Sequence, residues 1–380
     1  MAGSGYHRLT QSEKQFFALL TSGLWNEVPD VSLFDGFPVD WEALYKLSFE
    51  QTVVGHVTDG INRLPERCLP MAEPERLDPF LGDTMSTEQR NQVLNRFIPN
   101  MFQALKPLPV LLIKGQGVGA DYLEPQRRQP GDIDLLLMPE HYAAAKEILL
   151  AKATRVLDEM PEIYHQGMMF RSIEVEIHGA VSTLMSPAMD RHLARLQQEC
   201  FKKGDFPTVE IGGASIPVPD VHFNALYIFM HFLHHYWSSG LGLRQLVDWT
   251  VFLSVHKREL DPEWLREQLE ALGLLRVWKT FAGFAVEYLG CPAERLPLCG
   301  KPDPDRNYRI WKYVQRCGNF GKNENRSSWK KEPYLVRKLH SFWRLVLCDR
   351  LRHFRVFPWE SVRIFLGAFR YGLGRLAKGD

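Results

Sequence analysis

The feature that most constrains this 380-residue chain is residues 108–137, LPVLLIKGQGVGADYLEPQRRQPGDIDLLL. It opens on an apolar run, residues 110–113, that reads as a short buried strand, and passes through a glycine-punctuated turn at Lys114, Gly115, Gln116 and Gly117. A second apolar run begins at Gly131 with Asp132 and Asp134 at its mouth. Side chains alternate across a strand, so residues two apart project to the same side. Both carboxylates therefore point into one small volume.

Two like charges held that close repel, and burial would force one of them to take a proton. A divalent cation removes the conflict, because Mg²⁺ is held by one or two carboxylates while water and substrate phosphates fill its other positions. The glycine turn suits the same partner: a loop leading into a helix presents backbone N–H groups to an anion.

A strand, a Gly-containing turn and helix, then a D-x-D strand resembles the DNA polymerase β-type nucleotidyltransferase superfamily. More narrowly, Lys114-Gly115, Tyr122-x-x-Pro125-x-x-Arg128 and Gly131-Asp132-Ile133-Asp134-Leu135-Leu136 resemble an uncharacterised bacterial nucleotidyltransferase family. The family pattern implies a third carboxylate two residues before a histidine on a neighbouring strand. In residues 172–181, SIEVEIHGAV, Glu174 and Glu176 alternate with Val175 and Ile177, and the pattern selects Glu176 with His178.

The resemblance implies an α/β (α+β) protein, a small mixed-sheet nucleotidyltransferase core flanked by N-terminal and C-terminal helical regions. It implies that Asp132, Asp134 and Glu176 are catalytic and hold Mg²⁺, with Mn²⁺ as the alternative metal. Lys114, Gly115, Gln116 and Arg128 would contact the nucleotide. A nucleoside monophosphate would pass from a nucleoside triphosphate such as ATP to an acceptor hydroxyl, and pyrophosphate would leave. The acceptor class (small molecule, sugar, protein or RNA) is not legible in the flanking helices. The alternative is a non-catalytic nucleotide-binding or scaffold protein in a cell-envelope or natural-product assembly pathway, against which the complete carboxylate set argues. A nucleic-acid polymerase is disfavoured by a net charge of +1 and by the lack of a recognisable RNA-binding module.

Composition agrees with a globular chain: 45% hydrophobic and 24% charged, with any basic surface local. The six cysteines stand far apart without metal-ligand spacing, which reads as free thiols in a reducing compartment. The N-terminus lacks the apolar core of a signal peptide, and no apolar run approaches the ~18 residues that span a bilayer. A cytoplasmic protein is expected.

In linear order, residues 1–107 read as a helical region, 108–217 as the α/β core and 218–380 as a helical domain with a basic aromatic tail. Ser12 with Gln15 suggests a capping box, Asp40 an N-cap, and residues 86–105 a long helix. Residues 140–152 and 187–203 read as helices, 155–157, 168–171 and 173–177 as strands, and EIGGASIPVPD as a hairpin-like link. Residues 221–237 form an apolar helix whose His231, His234 and His235 read as core or cleft-lining rather than metal ligands. Arg244 and Asp248, four apart on the next helix, are either an ion pair or a triphosphate-binding arginine held by its aspartate. Residues 263–289 continue as helices, 291–306 break the pattern, and 318–333 read as an exposed loop. The tail, with Trp343, Arg344, Arg350, Arg352, His353, Arg355 and Trp359 among its alternating aromatic and basic residues, suits a bundle helix with a basic face. It also suits a polyanionic substrate or peripheral contact with the inner membrane.

Overall fold

The structure, a computed structural model, describes residues 6–183, 185–319 and 350–378. Their contacts divide the chain into two units assembled from non-consecutive segments. A helical unit draws on Met1–Leu81, Leu184–Pro187 and Phe229–Asp380, and a sheet unit on Gly82–Thr183 and Ala188–Ile228.

Helix α1 (Gln11–Trp25) starts where Thr10, in extended backbone, accepts the Glu13 N–H and Glu13 accepts the Thr10 N–H in return. The capping box thus lies two residues before the expected Ser12 and Gln15, since both of those already have helical backbone. Asp40 caps α2 (Trp41–Glu50) as expected, accepting from Ala43. Helix α3 (Val54–Ile61) meets α1 backbone to backbone: a Cβ at Gly23 would lie 1.8 Å from the His56 carbonyl oxygen, and one at Gly60 2.1 Å from that of Leu19. Helix α4 (Asp78–Leu105) begins earlier than the expected residue 86.

In the sheet unit, β1 (Leu111–Ile113) leads through a single helical turn, α5 (Gly115–Gly119), to β2 (Ile133–Leu136). Then follow α6 (Pro139–Leu150), β3 (Arg155–Met160), β4 (His165–Phe170), β5 (Ile173–His178) and α7 (Pro187–Lys203). The five strands make one sheet in the order β1-β2-β5-β4-β3, with β2 and β5 parallel and the other neighbours antiparallel, so the fold is mixed α/β. Alternation sorts the strands' residues onto two faces. Leu112, Ile133, Leu135, Met168, Val175 and Ile177 share one core with Leu94, Ile98 and Leu105 of α4 and Ala145 and Leu149 of α6. The hairpin of β6 (Thr208–Ile211) and β7 (Ala214–Pro217) adds Ile211 and Ile216 to it. Its turn is Gly212-Gly213, both at positive φ, as a tight hairpin requires. The opposite face of β2 and β5 carries the carboxylates.

Helix α8 (Val221–Ser238) leads into α9 (Leu243–His256), α10 (Pro262–Ala271) and α11 (Leu275–Tyr288). Trp249 and Trp278 lie edge to face at 4.7 Å, and Phe229, Phe232 and Phe281 complete an aromatic centre for the helical unit. Helix α12 (Pro304–Cys317) was not expected, although its start is written in the usual way: Asp303 accepts from Arg306, and proline occupies the first turn. After residue 319 the expected exposed loop, together with Trp343, Arg344 and Cys348, lies outside the described residues. The chain is helical again in α13 (Arg350–Val356) and α14 (Pro358–Lys378). Cys68, Cys200, Cys291, Cys299 and Cys317 are free thiols. No helix among the described residues is long and apolar enough to cross a membrane.

Candidate active site

Strand register builds the site. Asp134 on β2 stands opposite Glu176 on the parallel strand β5, and His178 follows two residues on, opposite His165 of β4. Ile133 and Leu135 on one strand, and Val175 and Ile177 on the other, turn into the core, so the intervening carboxylates must turn away from it. Asp132 enters from the loop just before β2. Oxygens of Asp132, Asp134 and Glu176 lie within 4.8 Å of one another, as do ligating atoms of His165, Glu176 and His178.

The carboxylates are held by basic side chains of the chain itself. Lys114 Nζ lies 2.7 Å from Asp134 Oδ1, and His178 Nε2 lies 2.9 Å from the same oxygen. Glu176 Oε2 faces His165 Nε2 at 3.1 Å and His178 Nε2 at 3.4 Å. Asp134 is only 1% exposed, so this compensation acts where water screens little. Burial by itself would lower the Lys114 pKa, but the field of Asp134, with Asp132 and Glu176, outweighs it and keeps the ammonium charged. Burial would raise the Glu176 pKa; bonds from His165 and His178 and the charge of Lys114 bring it well below the usual carboxylate range. The His178 pKa, which burial would lower, is raised by Asp134 and Glu176. Glu174 belongs to the same acidic face, and desolvation followed by the charge of Glu176 raises its pKa.

The turn is shaped by backbone as much as by side chains. Gly115 has φ +44°, and a Cβ there would sit 3.3 Å from the Asp132 carbonyl oxygen, so glycine lets the turn approach the aspartate loop. Lys114 has φ 55° and ψ −150°, a region that L residues rarely occupy, at a strain of about 1–3 kcal/mol. Its ammonium on Asp134 and its carbonyl, which accepts the Val118 N–H at 3.2 Å, hold it there. The strain thus sits on the residue that delivers the lysine of this cluster.

The expected residues are distributed as follows. Asp132, Asp134, Glu176 and Lys114 converge. Gln116 turns to α4, donating to Asn91 at 2.7 Å, and Asn91 donates in turn to the carbonyls of Gln126 and Arg128. Gln116 therefore braces the loop that precedes Asp132. Arg128 is buried, with Gly119 beside its aliphatic stem. Arg244 and Asp248 are buried in α9 of the helical unit, where Gln51 accepts the Leu243 N–H at 3.0 Å. His231 and His235 meet ring to ring at 4.6 Å, and His235 bonds Ser239. His165 is the participant that sequence reading missed. The strand containing it was placed at residues 168–171, and only the register of β4 against β5 brings it to Glu176.

An all-oxygen set from three carboxylates fits a hard divalent cation, and the neighbouring imidazoles extend the donor set to metals that accept nitrogen. A family model described as uncharacterised nucleotidyltransferase matches residues 38–290. No curated protein and no solved structure matches the chain.

Proposed function

Because the chain belongs to the uncharacterised nucleotidyltransferase family, an enzyme family of phosphorus-group transfer, we propose that it moves a nucleoside monophosphate from a nucleoside triphosphate to an acceptor hydroxyl, with pyrophosphate leaving. The observation that carries this reading is the convergence of Asp132, Asp134 and Glu176 beside a buried lysine. We assign the three carboxylates to a divalent cation, Mg²⁺ or Mn²⁺. Such an ion neutralises phosphate charge and lowers the pKa of an acceptor hydroxyl.

The chain's own groups supply the rest. Lys114 offers a permanent, nearly desolvated charge next to the place where phosphate oxygens would lie, and there its interaction is stronger than in water. His178 and His165 orient Glu176 from two sides and keep it ionised. Gln116 and Asn91 fix the loop that sets Asp132, while the core on the opposite face of the sheet keeps β2 and β5 in register. Rigid support of this kind matters because displacement of a positioned group by about 1 Å can lower a rate about a hundredfold.

The test is a thermal-shift panel of ATP, CTP, GTP and UTP with Mg²⁺, on the wild type and on Asp132→Asn/Asp134→Asn. A ligand at a hundred times its Kd adds about 2.7 kcal/mol. We expect a metal-dependent rise in Tm with at least one nucleotide and its loss in the variant. An equal rise in both proteins would remove the carboxylates from the site.

A further inference from the structure

We propose that His165, Glu176 and His178 form a second cation site, adjoining the three-carboxylate position but distinct from it, that takes a first-row transition metal of the Zn²⁺ type. Strand pairing builds the site. His165 of β4 stands directly opposite His178 of β5, and Glu176 precedes His178 by two residues. All three therefore project from the face of the sheet that carries the carboxylates. One ligating atom from each lies within 4.8 Å of the other two. Glu176 Oε2 is 3.1 Å from His165 Nε2 and 3.4 Å from His178 Nε2.

Those separations suit one shared ion. Zn²⁺ holds imidazole nitrogen and carboxylate oxygen at about 2.0–2.2 Å, which sets two donors on it roughly 3.0 Å apart at a right angle and roughly 3.4 Å apart at the tetrahedral angle. Both contacts to Glu176 fall within that span. Two imidazoles and one carboxylate also form a donor set that zinc uses with its fourth position open to water or substrate. Magnesium prefers oxygen throughout, so the chemistry separates the two positions: Asp132, Asp134 and Glu176 offer oxygen alone, and His165, Glu176 and His178 offer a mixed set. Glu176 belongs to both, and a carboxylate has an oxygen for each.

The three groups are placed to accept an ion. His165 Nδ1 has no hydrogen-bond partner among the described residues, so its polar bonding is directed through Nε2 into this cluster. His178 Nε2 also faces Asp134 Oδ1 at 2.9 Å; if that nitrogen turns to a cation, Lys114 at 2.7 Å still compensates the aspartate. His165, Glu176 and His178 are partly exposed, unlike Asp134, so an ion can reach them from solvent. The inference goes beyond the proposed transfer reaction, which needs neither histidine as a ligand.

The experiment uses the full chain, stripped with EDTA and dialysed free of it, and titrates Zn²⁺ by calorimetry without nucleotide. Wild type, His165→Gln and Asp132→Asn are compared, with far-UV circular dichroism as the check on folding. One equivalent is expected to bind the wild type and Asp132→Asn alike. Loss of even an outer-shell partner of a metal site costs about 10–100-fold in affinity, so His165→Gln should weaken binding by about tenfold at the least. X-ray absorption at the zinc edge of the loaded wild type, which needs no variant to fold, should register two coordinated imidazoles. Absence of binding, equal affinity in folded His165→Gln, loss of the site in Asp132→Asn, or fewer than two imidazoles overturns the proposal. The nucleotide panel and the zinc titration fail independently, so the two readings remain separable.

Discussion

Lys114 and Asp134 form a pair in which removal of either partner has unequal consequences. The side chains are 14% and 1% exposed, so an Asp134 without its lysine would be a buried charge supported by His178 alone. Breaking such a pair from one side typically costs about 3–5 kcal/mol. Lys114→Met should therefore lower the denaturation midpoint of the metal-free protein, and Asp134→Asn added to it should recover part of the loss. Urea titrations of the wild type and the two variants check this; a double variant no more stable than Lys114→Met would mean that the lysine is held by something other than Asp134. The same ion pair, made with Lys114 in its unfavourable backbone conformation, offsets part of that strain.

At the scale of elements, α1 and α12 are joined through one carboxylate. Glu13 is buried and accepts from Trp311 Nε1 at 2.9 Å, Lys312 Nζ at 2.6 Å and its own cap N–H at 2.9 Å. Burial pushes its pKa up, but the Lys312, Thr10 and Trp311 bonds push it down further, leaving it lowered. A depressed carboxylate pKa stabilises the fold above the unfolded value near 4.5, and that contribution disappears as pH falls through the folded pKa. Glu13→Gln should accordingly lose about 2 kcal/mol near pH 7, the range for a hydrogen bond to a charged group. The difference from wild type should shrink as pH drops toward 3, and Tm measured against pH reads it. Constant separation across that range would show that the charge of Glu13 contributes nothing.

For the whole molecule, the consequence lies in how the units are composed. The core of the sheet unit draws its apolar residues from 94–218 alone, whereas the helical unit needs both ends of the chain. Phe17 packs edge to face on Trp311 at 4.7 Å and against Tyr288 at 5.1 Å, and Trp25 Nε1 donates to the Leu289 carbonyl. A chain lacking residues 1–81 should therefore lose the near-UV circular dichroism of its tryptophans and unfold at a lower temperature, while far-UV strand signal persists. Retention of the full near-UV spectrum would refute the dependence of the late helices on α1.

Periodicity and local chemistry were enough to locate most elements. The apolar run behind Asp132 and the alternation around Glu174 and Glu176 marked two strands, and Pro187–Lys203 was legible to the residue. The family resemblance supplied the pairing of Glu176 with His178, and Lys114 was visible because it adjoins a glycine turn. What the linear chain could not carry was lateral register. Only the parallel pairing of β2 with β5 sets Asp134 beside Glu176, and only the antiparallel pairing of β4 brings His165 to the same carboxylate. Gln116 reads as a nucleotide contact in sequence, and its bond to Asn91, made because α4 runs past the turn, was not legible there. Hydrogen bonds and charge pairs between residues far apart in sequence depend on distances fixed by packing, so the chain alone determined which groups were available and tertiary structure decided which of them meet.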